Sequence, residues 1–186
     1  KFGARFQDRK AVSLIDSVDS SITSNITLVT IRRNLKAVLG QFAQYEVCYG
    51  NMFHTQESAY NVVSTGFTIE GVTGTVYLAD EVINREKGRI FFFTYTEGGT
   101  PNIVKKNAGT VDYMTGEVLI DTVNILSTVV ANGVVEIQAI PHSNDIVGLR
   151  DLYVKFDMTN TTINMVQDLI ASGENTSGSR FVHTHS

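Results

Sequence analysis

Metal binding in this 186-residue chain would depend first on its four histidines and its single cysteine. His183 and His185 stand two residues apart near the end of the sequence and would present two imidazoles to one ion. A protein zinc site usually takes three or four protein ligands, and His54 and His142 lie far away in the sequence. We therefore predict a structural or solvated tail here, with no metal and no cofactor.

Hydrolytic chemistry would need a nucleophile beside a base, and His142, Ser143 and Asp145 superficially offer the residue types of a catalytic triad. Neighbouring side chains on an extended loop point in different directions, however, and a triad is defined by its geometry. The sequence favours an ordinary loop at this position.

The acidic side chains of residues 80–87 offer a second route to hydrolysis. Asp80, Glu81 and Glu86 alternate there with Arg85 and Lys87. A pair of carboxylates can hydrolyse a glycosidic bond, but nothing in the sequence selects two acids from distant strands. The mixture of charges predicts a solvated hairpin rim.

Cys48 lies within residues 45–49, whose alternating pattern is typical of a β-strand. We interpret it as a small buried hydrophobic side chain and not as a catalytic thiol. One cysteine excludes a disulfide within the chain and a zinc site built from several cysteines, and it fits assembly in a reducing cytoplasm.

Charge and hydropathy limit the classes of partner. The net charge of −4 and the sequence pI near 5.5 argue against binding of nucleic acid or anionic lipid by electrostatic attraction. No stretch approaches the roughly 18 to 20 apolar residues that cross a bilayer as a helix. Since the sequence starts at Lys1 with no signal-peptide pattern, we expect a piece of a longer chain or a processed one.

The clearest local element is a hairpin over residues 109–121. β-Branched and aromatic residues on both sides of residues 114–117 predict two strands. Gly116 can adopt the positive φ that such a turn requires. Asp112, just before the turn, can accept hydrogen bonds from nearby backbone N–H groups. These residue types indicate architecture and not catalysis.

The remaining pattern predicts a mainly β (α+β) fold, with antiparallel sheets or a β-sandwich and a few short helices. Glycines separate the successive β-like segments after residue 66 at roughly the spacing of a sandwich. Residues 90–93 should form a central strand buried on both faces. We therefore predict a mixed α/β part over residues 1–65 and a β-rich domain over 66–158, followed by a short helix and polar tail over 159–186.

Helical spacing and alternation predict the outer segments. The apolar residues of 8–19 fit a helix, a second short helix fits near Ser20, and residues 25–31 fit a strand. Near the end, residues 152–156 fit a strand and 159–170 a helix.

Three segments resemble baseplate wedge proteins of contractile-tailed, T-even-type bacteriophages. Residues 16–25 are similar to a D-x-V-D-x-x-I-x-S-N segment, 109–118 to G-x-V-D-Y-x-T-G-x-V, and 141–146 to P-x-x-N-D-I. They occur in the same order as in that family. The matching positions are Asp16, Val18, Asp19, Ser24, Asn25, Gly109, Asp112, Tyr113, Gly116, Pro141, Asn144 and Asp145.

The resemblance implies the C-terminal portion of the large wedge subunit, a structural virion protein and not an enzyme. Such subunits pair, join into the ring around the tail hub, contact other wedge proteins and take part in triggering sheath contraction. The implied location is the tail baseplate, after assembly in the host cytoplasm. The resemblance implies no nucleic acid, membrane or small-molecule partner.

Two other functions stay open on the sequence alone. A β-sandwich module of a phage tail would bind a receptor or glycan, although the chain has no tryptophan and its tyrosines form no obvious sugar platform. A hydrolase with unrecognised carboxylates is the third hypothesis.

Overall fold

The computed structural model describes residues 6–20, 22, 25, 27–56 and 58–146. Within these residues, one helix, α1 (Asp8–Asp16), precedes nine strands, and a short 3-10 helix (Ala131–Gly133) lies between the last two of them. The strands are β1 (Ile31–Lys36), β2 (Phe42–Cys48), β3 (Val62–Ser64), β4 (Phe67–Ile69), β5 (Tyr77–Val82), β6 (Lys87–Tyr95), β7 (Pro101–Asp112), β8 (Glu117–Thr128) and β9 (Val134–Ala139).

All nine strands join one nearly closed antiparallel sheet, which confirms the predicted mainly β class. The order across the sheet is β1-β9-β3-β5-β6-β7-β8-β2, and β4 pairs with β8 beside this path. Three pairs of sequence neighbours, β5–β6, β6–β7 and β7–β8, form a meander at its centre.

The strand β6 lies between β5 and β7 and is apolar on both faces, as residues 90–93 predict. Ile90 and Phe92 enter the main core, whereas Phe91 and Phe93 belong to a second apolar cluster on the opposite face. Successive side chains of a strand point to opposite sides, so one strand supplies both clusters. Phe92 packs edge-on against Phe67, with ring centroids 5.5 Å apart.

The predicted hairpin over residues 109–121 is present, although its strands β7 and β8 are 12 residues each and extend well beyond it. The helix predicted within residues 8–19 is also present as α1. The strand predicted over residues 25–31 is wrong. Regular pairing begins only at Ile31, where β1 meets β9, because the partner strand and not local alternation sets the register.

The predicted division after residue 65 falls inside the sheet, between β3 and β4. Strands from both sides of it pair directly, since β3 pairs with β5 and with β9. The described residues therefore belong to one compact unit, and the glycine at position 66 marks a bend between two short strands.

Several predictions lie outside the described residues. They are the second helix that would begin near Ser20, the strand over 152–156, the helix over 159–170 and the tail with His183 and His185. Among the described residues, no helix has the length and apolar content needed to cross a bilayer.

Candidate functional site

A buried carboxylate, Asp80 on β5, lies at the centre of a polar cluster inside the sheet. Its Oδ1 accepts the backbone N–H groups of Asn61 and Val62, at 2.7 and 2.8 Å. Its Oδ2 accepts the Tyr113 hydroxyl at 2.6 Å and the Asn61 side-chain amide at 3.2 Å. Asp80 is 1% exposed and Tyr113 is fully buried. Four donors satisfy the charge that burial would otherwise make costly.

This arrangement corrects the prediction of a solvated rim, which holds for Glu81 but not for Asp80. The two acids are adjacent on one strand, so their side chains point to opposite faces of the sheet. Glu81 pairs with Arg89 on the outer face, and the hydrogen bond from that guanidinium lowers the pKa of Glu81. The donors to Asp80 come from 18 to 33 residues away, and no local sequence pattern announces them.

Burial is the largest cause that raises the pKa of Tyr113 far above its ordinary value, and the Asp80 carboxylate adds to it. The phenol therefore stays protonated and acts as a fixed donor. Gly88 leaves room for it, since a Cβ at that position would overlap the tyrosine hydroxyl. Tyr113 is thus a structural connection between the β7–β8 turn and β5.

The turn after β7 is built as the sequence predicts. Asp112 Oδ1 accepts the backbone N–H groups of Met114 and Thr115 at 2.9 and 3.0 Å, and these bonds lower the pKa of Asp112. Gly116 has φ of 70°, and a Cβ there would overlap the carbonyl oxygen of Asn51. Its own carbonyl accepts the Tyr49 N–H at 2.8 Å. Gly109, at the other end of the segment, lies equally close to the backbone of β8.

The segment 141–146 anchors α1. Asp145 Oδ1 accepts the N–H of Asp8, the first helical residue, at 3.1 Å, and the Asn144 amide donates to Asp8 Oδ2 at 3.2 Å. Gln7 occupies the N-cap position but makes no side-chain cap hydrogen bond. Asp145, from the far end of the described chain, supplies the cap instead. Pro141 bridges to Phe53 and closes β9.

The first resembling segment follows α1 and is only partly described. Asp16 accepts a hydrogen bond from the Asn25 side-chain amide, which also reaches the Val12 carbonyl at 3.4 Å. Val18 is largely exposed, and the Asp19 carbonyl accepts the Ile22 N–H. Ser24 lies outside the described residues. The first and third resembling segments therefore lie at opposite ends of α1, while the second lies at the β7–β8 turn.

Sequence patterns missed the largest feature of the outer face, a cluster of five aromatic rings that we call the aromatic surface. It comprises Tyr60, Tyr77, Phe91, Phe93 and Tyr95. Neighbouring ring centroids are 5.2 to 6.3 Å apart, within the range of favourable aromatic contacts. The strand register places Tyr77, Phe93 and Ile103 in one cross-strand row.

The aromatic surface has buried Phe rings at its centre and accessible groups around them. Phe91 and Phe93 are buried, whereas Tyr60 is 46%, Tyr95 55% and Ile103 53% exposed. The β5–β6 ladder extends it to the Glu81–Arg89 ion pair. Three tyrosines, Tyr60, Tyr77 and Tyr95, lie on this face, and the absence of a sugar platform stays a prediction. The alternation of residues 91, 93 and 95 was the available signal.

A smaller group of Glu46, Cys48 and Glu117 lies on the exposed side of β2 and β8. The prediction of a buried cysteine is wrong. Tyr45 and Val47 point into the core, so Cys48 points outward. Partial desolvation and the two carboxylates raise the pKa of the thiol, which keeps it protonated and disfavours nucleophilic chemistry.

The triad-like residues of the loop after β9 do not form a triad. Ser143 Oγ accepts the N–H of Asp145 at 3.1 Å, and Asp145 is engaged with α1. The backbone N–H of His142 donates to the Met52 carbonyl. These contacts organise the loop, as the sequence favours.

The chain matches no protein-family model, and no curated protein or solved structure is significantly similar to it.

Proposed function

We propose that this chain is a structural subunit of the tail baseplate of a contractile-tailed bacteriophage, with no catalytic role. In this proposal it is the C-terminal portion of a large wedge subunit that assembles in the host cytoplasm. It pairs with its own copies, contacts other wedge proteins in the ring around the hub, and takes part in triggering sheath contraction.

The aromatic surface is the observation that carries the assembly role. Exposed tyrosine beside buried phenylalanine, with an arginine at the margin, is the composition that protein interfaces favour at their centres. Single exposed apolar residues are common, but here three of them, Tyr60, Tyr95 and Ile103, surround buried phenylalanine rings on one face. A ring reuses one such surface in every subunit.

The roles of the resembling positions also support a structural function. Asp112, Tyr113 and Gly116 hold the β7–β8 turn against β5 and Asn51, and Asn144 and Asp145 hold α1. Each of these residues makes contacts inside the chain. Such residues preserve shape, which a baseplate component requires.

Light scattering on the purified chain tests the assembly role. We expect dimers or larger species at high micromolar concentration and loss of them in a Tyr95→Ser variant. Val129→Ser, an exposed apolar residue outside the aromatic surface, is the matched control. A strict monomer, or equal effects of both variants, would count against assembly through this surface.

The virion assignment needs its own experiment. Antibodies against the chain should label the tail end of particles of the phage that encodes it, and the chain should co-purify with baseplates. Its presence only in infected-cell extracts, and never in particles, would refute a virion role.

The three tyrosines of the aromatic surface favour a second candidate, a receptor- or glycan-binding module. Tyrosine rings stack on apolar sugar faces, and their hydroxyls offer hydrogen bonds. A glycan array probed with the wild-type chain and with Tyr95→Ser distinguishes the two functions, because assembly predicts no glycan signal.

A further inference from the structure

Among the described residues, strand β7 has one unpaired edge over its first eight residues. It pairs with β8 only between Gly109↔Ile120 and Asp112↔Glu117. Within residues 101–108, Pro101, Asn102, Ile103 and Lys105 pair with β6 on one side, and none pairs with a described strand on the other. Two register shifts flank Phe92 in the β6–β7 ladder, and such β-bulges bend the strand that carries the extra residues.

The hydrogen-bond alternation shows which backbone groups the edge presents. The N–H of Thr96 donates to the Thr100 carbonyl at 2.9 Å, which fixes the phase of the β6–β7 ladder. Hydrogen-bonded and non-bonded pairs alternate in an antiparallel ladder. The backbone N–H and C=O of Asn102 therefore point toward β6, and those of Ile103 point away from it. The N–H and C=O of Ile103 are therefore directed to the open side.

The side chains along this edge carry positive charge. Lys105 and Lys106 follow Ile103 closely, and residues 101–109 contain no acidic residue. The Lys105 ammonium lies 5.8 Å from the centre of the Phe92 ring, at the margin of the core. Two copies of this edge would bring lysines together, which disfavours self-pairing. An acidic strand, by contrast, would be attracted to it.

We propose that residues 101–107 of β7 bind an extended acidic segment of another protein, which adds to the sheet as one more strand. Backbone bonds to Ile103 supply affinity, and the Lys106 ammonium selects carboxylate side chains on the added strand. The exposed Ile103 side chain contacts an apolar residue of that segment. This inference does not depend on the virion assignment.

The test uses the full chain and labelled peptides of about seven residues that alternate valine with glutamate. We expect saturable binding that weakens with added salt, and none to the same peptide with lysine replacing glutamate. A glutamate peptide N-methylated at alternate residues should not bind either, because it lacks the backbone donors.

Two charge-reversal variants locate the site. Lys106→Glu should weaken binding at least about fivefold, since it removes one attraction and adds one repulsion. Lys10→Glu on α1 changes the net charge equally and should leave the affinity within about twofold. Circular dichroism confirms that both variants remain folded.

Amide hydrogen exchange provides the independent readout. In the free protein the Ile103 amide should exchange quickly, and the peptide should slow it while the Asn102 amide changes little. An Ile103 amide already protected in the free protein, equal binding of the lysine peptide, or equal effects of the two variants would overturn the proposal.

Discussion

The Tyr113 hydroxyl donates to Asp80 Oδ2 at 2.6 Å, which joins the start of the β7–β8 turn to a buried carboxylate on β5. The same carboxylate holds the chain entering β3 through the Asn61 and Val62 N–H groups. Three parts of the fold thus meet at one charged group with no water-exposed side. Removing one donor leaves that charge incompletely paired in the interior.

Tyr113→Phe is therefore expected to lower the free energy of unfolding by about 1–3 kcal/mol, through loss of a hydrogen bond to a buried charge. Urea denaturation followed by circular dichroism measures it. Tyr60→Phe, a tyrosine that is nearly half exposed, is the control and should change stability by less than about 0.5 kcal/mol. Equal effects would show that Asp80 does not depend on this donor.

Features encoded within a few consecutive residues were predictable from the sequence, whereas features that depend on distant residues were not. The turn at Asp112 and Gly116 and the buried strand around Phe92 were predictable, because turn chemistry and apolar runs are encoded within a few residues. Whether Cys48 faces the core or the solvent depends on the register of β2, because a shift of one residue moves every side chain of a strand to the opposite face. Asp80 was missed because its partners lie 18 to 33 residues away.

The aromatic surface could be predicted only in part from the sequence, because it also depends on how the strands pair. Alternating aromatics in β6 were visible in the sequence, but the contribution of Tyr60 and Tyr77 depends on how β3 pairs with β5 and how β5 pairs with β6. Pairing between strands is a tertiary property, and local propensity does not specify it.

Alkaline pH should destabilise the protein through two buried phenols. Burial raises the pKa of both Tyr49 and Tyr113 well above the value of about 10 that they have when unfolded. The stability that the neutral phenols provide is complete below about pH 10 and is lost as the pH rises further, since only the unfolded chain releases these protons. Each contributes a slope of about 1.4 kcal/mol per pH unit.

Unfolding free energies measured across about pH 9 to 11 test this, because that interval contains the unfolded tyrosine pKa. The double variant Tyr49→Phe, Tyr113→Phe should lose less stability over the interval than the wild type, whatever its stability at neutral pH. Parallel curves would mean that these phenols ionise in the folded protein.

Gly116 and Gly40 form a matched pair for separating backbone strain from steric overlap. Their φ angles are 70° and 71°, but a Cβ at Gly40 meets nothing within 4 Å. Gly40→Ala should cost about 1–2 kcal/mol for the left-handed conformation alone. Gly116→Ala should cost about 1–3 kcal/mol more, because the Asn51 carbonyl must move. Thermal or urea unfolding measures the stability of both variants. Equal losses of stability would contradict the close approach of Gly116 to the Asn51 carbonyl.

Asp145→Ala should loosen α1 without unfolding the sheet. The carboxylate supplies the N-cap acceptor for Asp8, and losing such a cap costs about 0.5–2 kcal/mol locally. Hydrogen exchange of the α1 amides should become faster while β6 stays protected. Asp121→Ala, an exposed acid on β8, is the control and should leave α1 unchanged.

Cys48 is exposed, yet it should react slowly with alkylating reagents near neutral pH. Partial desolvation and then the charge of Glu46 raise the pKa of its thiol, and the thiolate is the reactive form. Glu46→Gln should therefore speed alkylation by iodoacetamide, measured by mass spectrometry at fixed pH. Glu81→Gln, a distant exposed carboxylate whose loss changes the net charge equally, should have no effect. A rate that Glu46→Gln leaves unchanged would show that access and not charge limits the thiol, and the group of Glu46, Cys48 and Glu117 would then lack electrostatic coupling.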